Sequence, residues 1–204
     1  MFAVIEGIEG SGKSTLQAGL AEALRARGRR VVTTREPGGS PLGDAIRALF
    51  LGSELDIEPT AEAMLVNAAR AQHVATLIHP ALERGEVVIC DRFVDSTLAY
   101  QGYGRGLDIA MLRSLCDLAV GDLVADLTIL LDCEPSLSQR RLDERGRARD
   151  RLESEGAGFH QRVRSGFLAL AYGSSRHLVL NAADAREALV AAALAAIEQA
   201  VARG

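Results

Sequence analysis

The sequence predicts a three-layer α/β fold, in which helices flank both faces of a five-stranded parallel sheet. Two observations support this prediction. Short apolar runs alternate with longer stretches of helical periodicity along the 204 residues, as expected for parallel strands connected through helices. The first apolar run leads into the glycine-rich loop Gly7–Ser14 and then into a helical stretch, and such a loop at a helix N-terminus binds phosphates. The combination is typical of the P-loop NTPase type of fold.

Each predicted strand is a short, largely apolar run, because a strand covered on both faces has no exposed side for polar residues. The five runs are Phe2–Ile5, Val31–Thr34, Val87–Cys90, Leu127–Leu131 and His177–Leu180. The stretches between them repeat apolar residues at helical spacing, as Leu16, Leu20 and Leu24 do. They predict helices at Thr15–Arg27, Leu42–Leu51, Pro59–Arg84, Ile109–Val120, Pro135–Arg145, Phe159–Tyr172 and Asp184–Ala202. Pro59 suits a first helical turn, and Pro80 is expected to bend its helix.

The composition indicates a soluble, globular chain, with 48% hydrophobic and 25% charged residues. No repeat and no linker rich in proline, glycine or serine divides the sequence, so we expect one domain over residues 1–204. The net charge of −4 provides no positive field for a nucleic acid polymer or an anionic membrane. We expect neither a secretion signal nor a membrane span, since the first residues are strand-like and the apolar stretches are short.

The three cysteines, Cys90, Cys116 and Cys133, are far apart, and no pair has the spacing of metal ligands. We interpret Cys90 and Cys133 as core residues, because they lie in or at the end of apolar runs. Such cysteine usage indicates a reducing compartment and hence a cytoplasmic location. The four histidines are also dispersed and are interpreted as structural, so a Cys/His or Ser/His/Asp nucleophile is not expected.

The loop Gly7–Ser14 satisfies the pattern G-x-x-x-x-G-K-[ST]. Lys13 is the only lysine beside 22 arginines, and it stands where a compact ammonium group must reach between two phosphates. A glycine turn with a solvated lysine would not explain the strand before the loop or the helix after it. The residues predicted to bind ATP are Gly7, Ile8, Glu9, Gly10, Ser11, Gly12, Lys13, Ser14 and Thr15.

Charged residues follow two other predicted strands, and ligands of open parallel sheets bind at the carboxyl ends of strands. Arg35–Pro37 follows the second strand; a tight turn explains the glycines after it but not its charged pair. Asp91 follows the third strand, at the position that holds Mg²⁺ in P-loop proteins, and Arg92 beside it suits a second phosphate. Asp132 also ends a strand, but we expect a structural role for it.

Eight arginines lie from Arg140 to Arg164, interspersed with five acidic residues and three glycines. A salt-bridged surface helix explains Arg140 and Arg141. The segment from Arg145 to Arg151 is too charged to pack and is flanked by glycines. We expect a mobile, arginine-rich lid at about residues 143–157, which closes over the transferred phosphoryl group and excludes water.

Together these residues resemble the bacterial thymidylate kinase (dTMP kinase) family nearly from end to end. The matching stretches are Ile5–Thr15, Thr34–Gly39, Ala68–Arg70, Asp91–Phe93, Ser96–Gly102 and Asp150–Glu153. The resemblance implies a five-stranded parallel sheet and a homodimer. It implies direct, in-line transfer of the γ-phosphoryl group of Mg²⁺-ATP to dTMP, giving dTDP for dTTP biosynthesis. Glu9 and Gly10 leave no arginine in the P-loop, so the chain resembles the members whose catalytic arginine lies in the lid.

The resemblance also implies a catalytic group and a metal site. These residues are Lys13, Glu9, Arg92, Arg145 and Arg151 for catalysis, and Ser14 and Asp91 for Mg²⁺. Glu9 would orient the 3′-hydroxyl of the acceptor or a metal-bound water. Arg145 aligns best with the lid arginine that reaches the transferred phosphoryl group, and Arg151 aligns next best. Arg147 and Arg149 leave this alignment open by one or two positions.

The implied substrate-binding residues are Arg35, Glu36, Pro37, Arg47, Val66, Arg70, Arg92, Thr97, Tyr100 and Gln101, with the first three on the monophosphate side. Arg47 and Arg92 would grip the phosphate of dTMP. Tyr100 would press against the sugar and disfavour a 2′-hydroxyl group, and Gln101 would shape the floor beneath it. The residues after Asn181 would border adenine, although a loop before the last helix explains this asparagine equally well.

The base pocket departs from the family pattern. Arg70 would hydrogen-bond the thymine edge, assisted by Thr97, but Val66 stands where the family usually has a phenylalanine that stacks on thymine. Stacking is worth roughly 1–3 kcal/mol, of which an aliphatic contact recovers only part. We therefore expect weaker dTMP binding or a looser choice of pyrimidine, unless Phe50 or Phe93 supplies the ring.

The predicted helix Pro59–Arg84 carries small and apolar residues on several faces, and both a buried helix and a dimer interface explain them; the family's dimers favour the interface. These residues are Ala63, Val66, Val74 and Leu77.

Two other functions share part of the pattern. A nucleotide switch would need the P-loop but not Arg70, Arg92 and Arg145. A kinase acting on a nucleoside or another monophosphate would share all but the thymine-binding residues.

Overall fold

Five parallel strands form the sheet of the computed structural model, which describes residues 1–52, 55–146 and 148–203. They are β1 (Phe2–Glu6), β2 (Val31–Arg35), β3 (Val87–Asp91), β4 (Leu127–Asp132) and β5 (His177–Asn181). Their spatial order is β2-β3-β1-β4-β5, and every neighbouring pair is parallel. The predicted sheet is therefore confirmed. Each strand continues one residue beyond its predicted end, because the ladder takes in the first polar residue after the apolar run.

The helices in the described ranges cover both faces of this sheet. They are α1 (Lys13–Ala26), α2 (Pro41–Gly52), α3 (Pro59–His73), α4 (His79–Glu83), α5 (Val94–Thr97), α6 (Ile109–Val120), α7 (Pro135–Glu144), α8 (Ala157–Ala171) and α9 (Arg186–Arg203), with π-helical turns at Val74–Ile78 and Leu98–Gly104. Ala3 and Ile5 of β1 pack with residues of α1 and α9, whereas Phe2 and Val4 pack with residues of the turn after α3. Successive strand residues point to opposite faces, so each face has its own helices. Within these ranges no helix is long and apolar enough to cross a membrane.

The long helix predicted at Pro59–Arg84 is interrupted by the π-helical turn between α3 and α4. This turn ends at Ile78, two residues before Pro80, which has no N–H to donate to the preceding turn, and the wider turn accommodates that loss. The sequence analysis expected a bend at Pro80, and the irregularity near this residue is a widened turn.

Most of the residues that suggested a dimer interface on this helix point into the protomer instead. Ala63, Val66 and Val74 are buried, and Leu77 is half-buried. The prediction that this set forms an interface is wrong for the buried members, because their side chains fill the core. The exposed side of the same helix carries a different apolar stripe, Met64, Ala68, Ala71 and Ala75.

The segment 94–104 is helical, although the sequence analysis predicted no element there. Its two glycines have low helix propensity and conceal the periodicity. Close packing requires them: a Cβ atom on Gly102 would overlap Ile109, and one on Gly104 would lie 2.7 Å from the Phe159 ring. The segment matters for function because it carries polar side chains into the cleft described next.

Candidate active site

A cleft of about 390 Å³ opens where β1, β2 and β3 end. The predicted residues that line it are Glu9, Gly10, Gly12, Lys13, Ser14, Thr15, Arg35, Glu36, Pro37, Arg47, Val66, Asp91, Arg92, Thr97, Tyr100, Gln101 and Arg145. Gly7, Ile8 and Ser11 belong to the same loop but lie outside the lining, as do Arg70 and Arg151. The cleft therefore brings most of the predicted site together.

The loop after β1 leads into the N-terminus of α1. Gly12 precedes α1 with a φ of 102°, a backbone conformation that L side chains rarely adopt. Gly10 has a φ of 70°, and a Cβ atom there would lie 2.8 Å from the carbonyl oxygen of Ser138. Both glycines are required by the shape of the loop, which leaves the first N–H groups of α1 available to an anion.

Lys13 lies within this loop and is 7% exposed. Its Nζ donates to the carbonyl oxygens of Gly7 and Ile8, at 3.0 Å each. Burial, together with the nearby Arg92 guanidinium, lowers the pKa of Lys13 to about 8. An anion beside the ammonium group would offset both effects, so Lys13 is suited to receive a phosphate.

Ser14 and Asp91 are in contact and form a candidate metal site. Ser14 Oγ donates to Asp91 Oδ2 at 3.4 Å, whereas Asp91 Oδ1 is buried and has no hydrogen-bond partner among the described residues. Carboxylate oxygens, phosphates and a few other oxygen ligands are what Mg²⁺ uses in nucleotide sites. The pair therefore fits a magnesium ion that is coordinated together with phosphates.

Arg92 is the central cation of the cleft, and its backbone is left-handed, with a φ of 73°, as is common at functional sites. Its Nη2 donates to Glu9 Oε1 at 2.7 Å and to the Tyr100 hydroxyl at 3.1 Å. The Tyr100 hydroxyl donates in turn to Glu9 Oε2 at 2.7 Å. Burial disfavours the charged forms of Glu9 and Arg92, but the attraction between the two groups outweighs this effect. The pKa of Glu9 is therefore lowered, and the pKa of Arg92, which also lies beside Tyr100, is raised.

Two residues that the sequence analysis did not select support the turn that carries Arg92. Glu6, at the end of β1, is buried and accepts from the backbone N–H groups of Phe93 and Ser96, at 2.8 and 3.2 Å. The Ser96 hydroxyl donates to Glu6 Oε2 at 2.6 Å and accepts from Arg92 Nη1 at 3.1 Å. Burial and the nearby Asp95 raise the pKa of Glu6 to about 7. An acidic residue that ends an apolar strand, directly before the P-loop, is the signal that could have indicated this role.

Arg35 and Arg47 add positive charge on the same side of the cleft as Arg92. Arg47 Nη1 donates to the carbonyl oxygen of Pro37 at 3.1 Å, and Arg35 has an ion pair with Asp44 at 3.9 Å. Burial, and then the charges of Arg35 and Arg92, lower the pKa of Arg47. Cations that repel one another in a cleft form a site for an anion.

Arg70 lies beneath the cleft and is 2% exposed. All five of its N–H groups have acceptors in the protein, namely Glu36 Oε2, Asn67 Oδ1, Cys116 Sγ, the Phe93 carbonyl oxygen and Thr97 Oγ1. A direct hydrogen bond from Arg70 to thymine, as the resemblance implies, would require the release of one of these. In this structure Arg70 instead positions Glu36 and Thr97, which line the cleft.

Val66 and Phe50 both line the cleft and belong to the same core cluster. The Arg151 guanidinium lies over the Phe50 ring, 4.9 Å from its centroid. Phe93 lies outside the lining and packs edge-on against Phe2, with ring centroids 4.9 Å apart. Of the two aromatic alternatives for stacking on thymine, Phe50 is therefore the one at the cleft.

Arg151 and Gln101 meet at Glu62, a fully buried residue of α3 that the sequence analysis did not select. Gln101 Nε2 donates to Glu62 Oε2 at 3.0 Å, and Arg151 Nη1 pairs with Glu62 Oε1. Arg105 adds an ion pair to Glu62 at 3.1 Å, and Arg151 Nε donates to the Phe50 carbonyl oxygen at 3.2 Å. Arg151 therefore anchors its segment to α2 and α3, outside the lining of the cleft.

Arg145 lines the cleft, and its Nη2 donates to Glu153 Oε1 at 2.6 Å. Arg149 pairs with Asp143 at 2.5 Å and lies outside the lining. Arg147 is outside the described residues. Among the described arginines of the predicted lid, Arg145 is thus the one at the cleft.

Arg141 is not the solvated surface residue that the sequence analysis predicted. Its Nη1 donates to the carbonyl oxygens of Gly10 and Ser11, at 3.3 and 3.2 Å, and its Nη2 donates to that of Ala182 at 2.9 Å. Arg141 also lines the cleft. It therefore joins the P-loop to the segment after β5.

The contrast with the preceding residue shows which signal was missed. Arg140 has the predicted exposed ion pair with Glu144, at 3.9 Å. Ser138 and Arg141 of α7 and Arg145, the residue directly after it, are spaced three and four residues apart, so they lie on one face of the helix. Ser138 Oγ donates to a P-loop carbonyl oxygen at 2.6 Å, which confirms that this face meets the loop.

Two further strand ends have structural contacts. Asp132 accepts two hydrogen bonds from Arg164, at 2.6 and 2.9 Å, which agrees with the predicted structural role. Asn181 accepts from the Ala183 N–H at 3.0 Å, as a loop residue would.

Behind β2 and β3, Glu36, His73 and Cys90 place potential ligand atoms within 4.8 Å of one another. His73 pairs with Glu36 at 3.0 Å and contacts Thr34 at 2.7 Å, so we interpret this buried group as a core network.

The fold and the cleft define a class of protein, a P-loop kinase whose acceptor carries a phosphate, because one cleft combines the P-loop with a separate group of cations. The family model described as thymidylate kinase matches residues 5–193. The thymidylate kinase of Deinococcus radiodurans is 48% identical over 200 residues, covering 98% of this chain and 97% of that protein. The thymidylate kinase of Geobacter sulfurreducens is 49% identical over 198 residues, covering 94% and 93%. The crystal structure of thymidylate kinase from Ehrlichia chaffeensis matches with a TM-score of 0.80 and 32% identity, covering 97% and 98%.

The chain belongs to the thymidylate kinase family, and the resemblance inferred from the sequence is confirmed. It is a nucleoside monophosphate kinase, which transfers a phosphoryl group from ATP to dTMP and forms dTDP.

Proposed function

We propose that the cleft holds ATP and dTMP at the same time and that the γ-phosphoryl group passes directly, in line, between them. The observation that carries this proposal is two separate phosphate-binding surfaces in one cleft, the loop around Lys13 and the group of Arg35, Arg47 and Arg92. A phosphate oxygen of the acceptor is already a nucleophile at neutral pH, so no covalent enzyme intermediate is required. Catalysis then consists of positioning and charge stabilisation.

On the donor side, the residues Gly7–Thr15 bind the phosphates of ATP. Lys13 turns from its two loop carbonyl oxygens toward the β- and γ-phosphates. Ser14 and Asp91 hold Mg²⁺, which when bound neutralises phosphate charge. Adenine borders the residues after Asn181, where the contact of Arg141 with the backbone supports this wall.

On the acceptor side, Arg47 and Arg92 bind the phosphate of dTMP, and the segment Arg35–Pro37 lines that wall. Glu9 and Tyr100, joined by their 2.7 Å hydrogen bond, lie beside the sugar. A carboxylate in this position can accept a hydrogen bond from the 3′-hydroxyl group, and the Tyr100 side chain disfavours a 2′-hydroxyl group. Gln101, held by Glu62, shapes the floor, and Thr97, held by Arg70, meets the edge of the base.

Thymine rests on Val66, with Phe50 as the neighbouring ring. We expect Val66→Phe to tighten dTMP binding about fivefold, because the ring extends into the open cleft and adds stacking to the area that it covers. The affinity for ATP should not change, since the P-loop is a separate part of the cleft. Calorimetric titration of each nucleotide measures both effects.

Val66→Leu is the matched control, because it adds volume without a ring and should improve dTMP binding less. Weaker dTMP binding in Val66→Phe, with an unchanged circular dichroism spectrum, would contradict the aliphatic floor. It would show that Phe50 already fills the stacking position, since overpacking costs about 1–3 kcal/mol.

Residues 1–204 act as one domain with a lid at about 143–157. Arg145 reaches the transferred phosphoryl group from this lid, and its place in the cleft lining supports that role. Arg151 holds the lid segment down through Glu62 and Phe50. Closure over the phosphates excludes water, which would otherwise hydrolyse ATP.

Arg141 and Arg140 form a natural comparison on α7. We expect Arg141→Gln to raise the KM for ATP about tenfold, because a charged donor to two P-loop carbonyl oxygens is lost. Arg140→Gln should leave the KM for ATP within about twofold, since exposed ion pairs contribute little. Steady-state kinetics at saturating dTMP measure the difference, and equal effects of the two substitutions would contradict the proposed role of Arg141.

The chain forms a homodimer through the exposed stripe on α3 and the turn after it. Met64 is 59% exposed, and Ala68, Ala71 and Ala75 continue the stripe at spacings of three and four residues, as in the seam between two packed helices. Small side chains would allow the helix of a second copy to approach closely.

The free, buried cysteines, all of them within the described residues, support a cytoplasmic location.

Ala68→Arg should convert this dimer to a monomer, because it places a charge at the centre of the stripe. Light scattering after size exclusion measures the mass. Ala195→Arg, on the exposed side of α9, is the control and should leave the mass unchanged. A wild-type mass of 21.7 kDa, that of one chain, would contradict the proposal.

Initial rates with a panel of acceptors test the proposed function. With ATP and Mg²⁺, dTMP should be phosphorylated faster than dUMP or TMP, and thymidine should not be a substrate. Faster turnover of thymidine than of dTMP would indicate a nucleoside kinase. ATP hydrolysis that no acceptor stimulates would indicate a nucleotide switch.

A further inference from the structure

His160 of α8 is a buried histidine that the proposed mechanism does not use. The residue is 1% exposed, and both ring nitrogens are buried without a hydrogen-bond partner among the described residues. Buried polar atoms are nearly always paired, so an imidazole with two unpaired nitrogens requires an explanation.

The ring lies directly behind the acceptor side of the cleft. His160 Nδ1 is 4.0 Å from Glu9 Oε2, just beyond hydrogen-bond distance. The neighbouring Phe159 ring packs edge-on against His160, with centroids 5.5 Å apart, and tilted against Tyr100 at 6.1 Å. These contacts place the imidazole beside the carboxylate.

Arg92 is the cation in direct contact with Glu9, and the nearby Lys13 adds a second positive charge. Arg92 Nη2 contacts Glu9 Oε1 at 2.7 Å, yet the same guanidinium is the proposed ligand of the acceptor phosphate. When Arg92 turns toward that phosphate, Glu9 loses a charged donor while it stays largely buried. Glu9 then keeps the neutral hydrogen bond from Tyr100, but a buried carboxylate that loses a charged partner is destabilised unless another donor replaces it.

We propose that His160 is a positioning residue, which donates its ring N–H to Glu9 when Arg92 turns to the phosphate of dTMP. A shift of about 1 Å brings the two atoms to the usual distance of about 3 Å. The exchange keeps Glu9 in place beside the sugar during transfer, and it makes binding of the phosphate and orientation of the sugar mutually dependent. This inference rests on the proposed place of the dTMP phosphate at Arg92.

Two variants and one spectrum test the exchange. His160→Leu should raise the KM for dTMP about tenfold, because Glu9 loses a donor, and leave the KM for ATP within about twofold. His160→Gln keeps an N–H donor and should restore most of the affinity for dTMP, which a merely space-filling role does not predict. In the wild-type enzyme, dTMP should shift the ring ¹⁵N resonances of His160, which the spectrum of His160→Gln identifies among four histidines.

Several results would overturn the exchange. These are equal losses in the leucine and glutamine variants, a rise in the KM for both nucleotides, an unchanged KM for dTMP, or ring resonances that dTMP does not move. If the leucine variant does not fold, the effect of dTMP on the ¹⁵N spectrum of the wild-type enzyme is the deciding test. If Arg92→Ala leaves the KM for dTMP unchanged, the proposed acceptor site itself is wrong; if Arg92→Ala raises it but His160→Leu does not, only the exchange is wrong.

Discussion

Replacement of Lys13 by alanine is expected to lower turnover at least about 100-fold, the loss typical of a charge-stabilising group in such a site. The hydrogen bonds of Lys13 reach two carbonyl oxygens of its own loop, so its removal should leave the core and the thermal midpoint nearly unchanged. The chain has no other lysine to substitute for it. Coupled-assay turnover, with circular dichroism on the same sample, gives both results, and activity above about a tenth of the wild-type value would contradict the role of the ammonium group.

The lowered pKa of Lys13 adds a dependence on pH. The free enzyme loses the ammonium charge as the pH rises through about 8, so kcat/KM for ATP should fall above that pH. Lys13→Arg is the control, because its side chain stays charged in this range. Its kcat/KM, although lower, should lack the decline above pH 8, and a parallel decline in both enzymes would assign the titration to another group.

Arg92→Ala is expected to raise the KM for dTMP at least about 30-fold, because losing a buried, hydrogen-bonded charge costs about 2 kcal/mol or more. The loss arises at the acceptor phosphate, which loses a guanidinium, because the 2.7 Å contact of Arg92 with Glu9 is the one that the proposed exchange releases when dTMP binds. The KM for ATP should change by less than about threefold, since the P-loop keeps its own contacts. Steady-state kinetics with each nucleotide varied in turn measure the split.

Arg92→Lys is the matched control for charge. It keeps the cation but cannot contact Glu9, Tyr100 and Ser96 at once as the guanidinium does, so a partial loss is expected. Equal increases in the KM values for dTMP and ATP in Arg92→Ala would place this residue on the donor side and contradict the assignment.

The sequence predicted the fold well because the sheet imposes a strong pattern. Continuous apolar strands such as β1 and β4 are buried on both faces, and few other structures would tolerate them. The segment 94–104 escaped prediction because its glycines serve tertiary contacts with α6 and α8, which no local pattern reveals. The sequence analysis located an irregularity near Pro80 but did not predict that it would be a π-helical turn. A proline indicates that a backbone hydrogen bond is missing, and it does not indicate how the helix adapts.

The residues of the candidate site also fall into a group that the sequence predicted and a group that it did not. Asp91 ends β3, Arg92 follows it, and Lys13 begins α1 at the end of the loop that leads from β1, so the topology itself brings them to one edge. Glu62, Arg141 and His160 act from helices, where position depends on how each helix packs. Arginines also pair readily with acids, and sequence cannot show which partner is chosen. The sequence analysis therefore aligned Arg145 best and Arg151 next best with the arginine that reaches the transferred phosphoryl group, and it did not show that Arg151 pairs with Glu62.

The central claim is that one cleft binds both nucleotides at once, with separate sites for the donor and acceptor phosphates. The most direct test is calorimetric titration of dTMP into the wild-type enzyme saturated with Mg²⁺ and a non-hydrolysable ATP analogue. We expect dTMP to bind at one molecule per chain with an affinity equal to or higher than that for the free enzyme. Loss of dTMP binding in the presence of the analogue would show that the two nucleotides compete for one site and would contradict direct transfer between them.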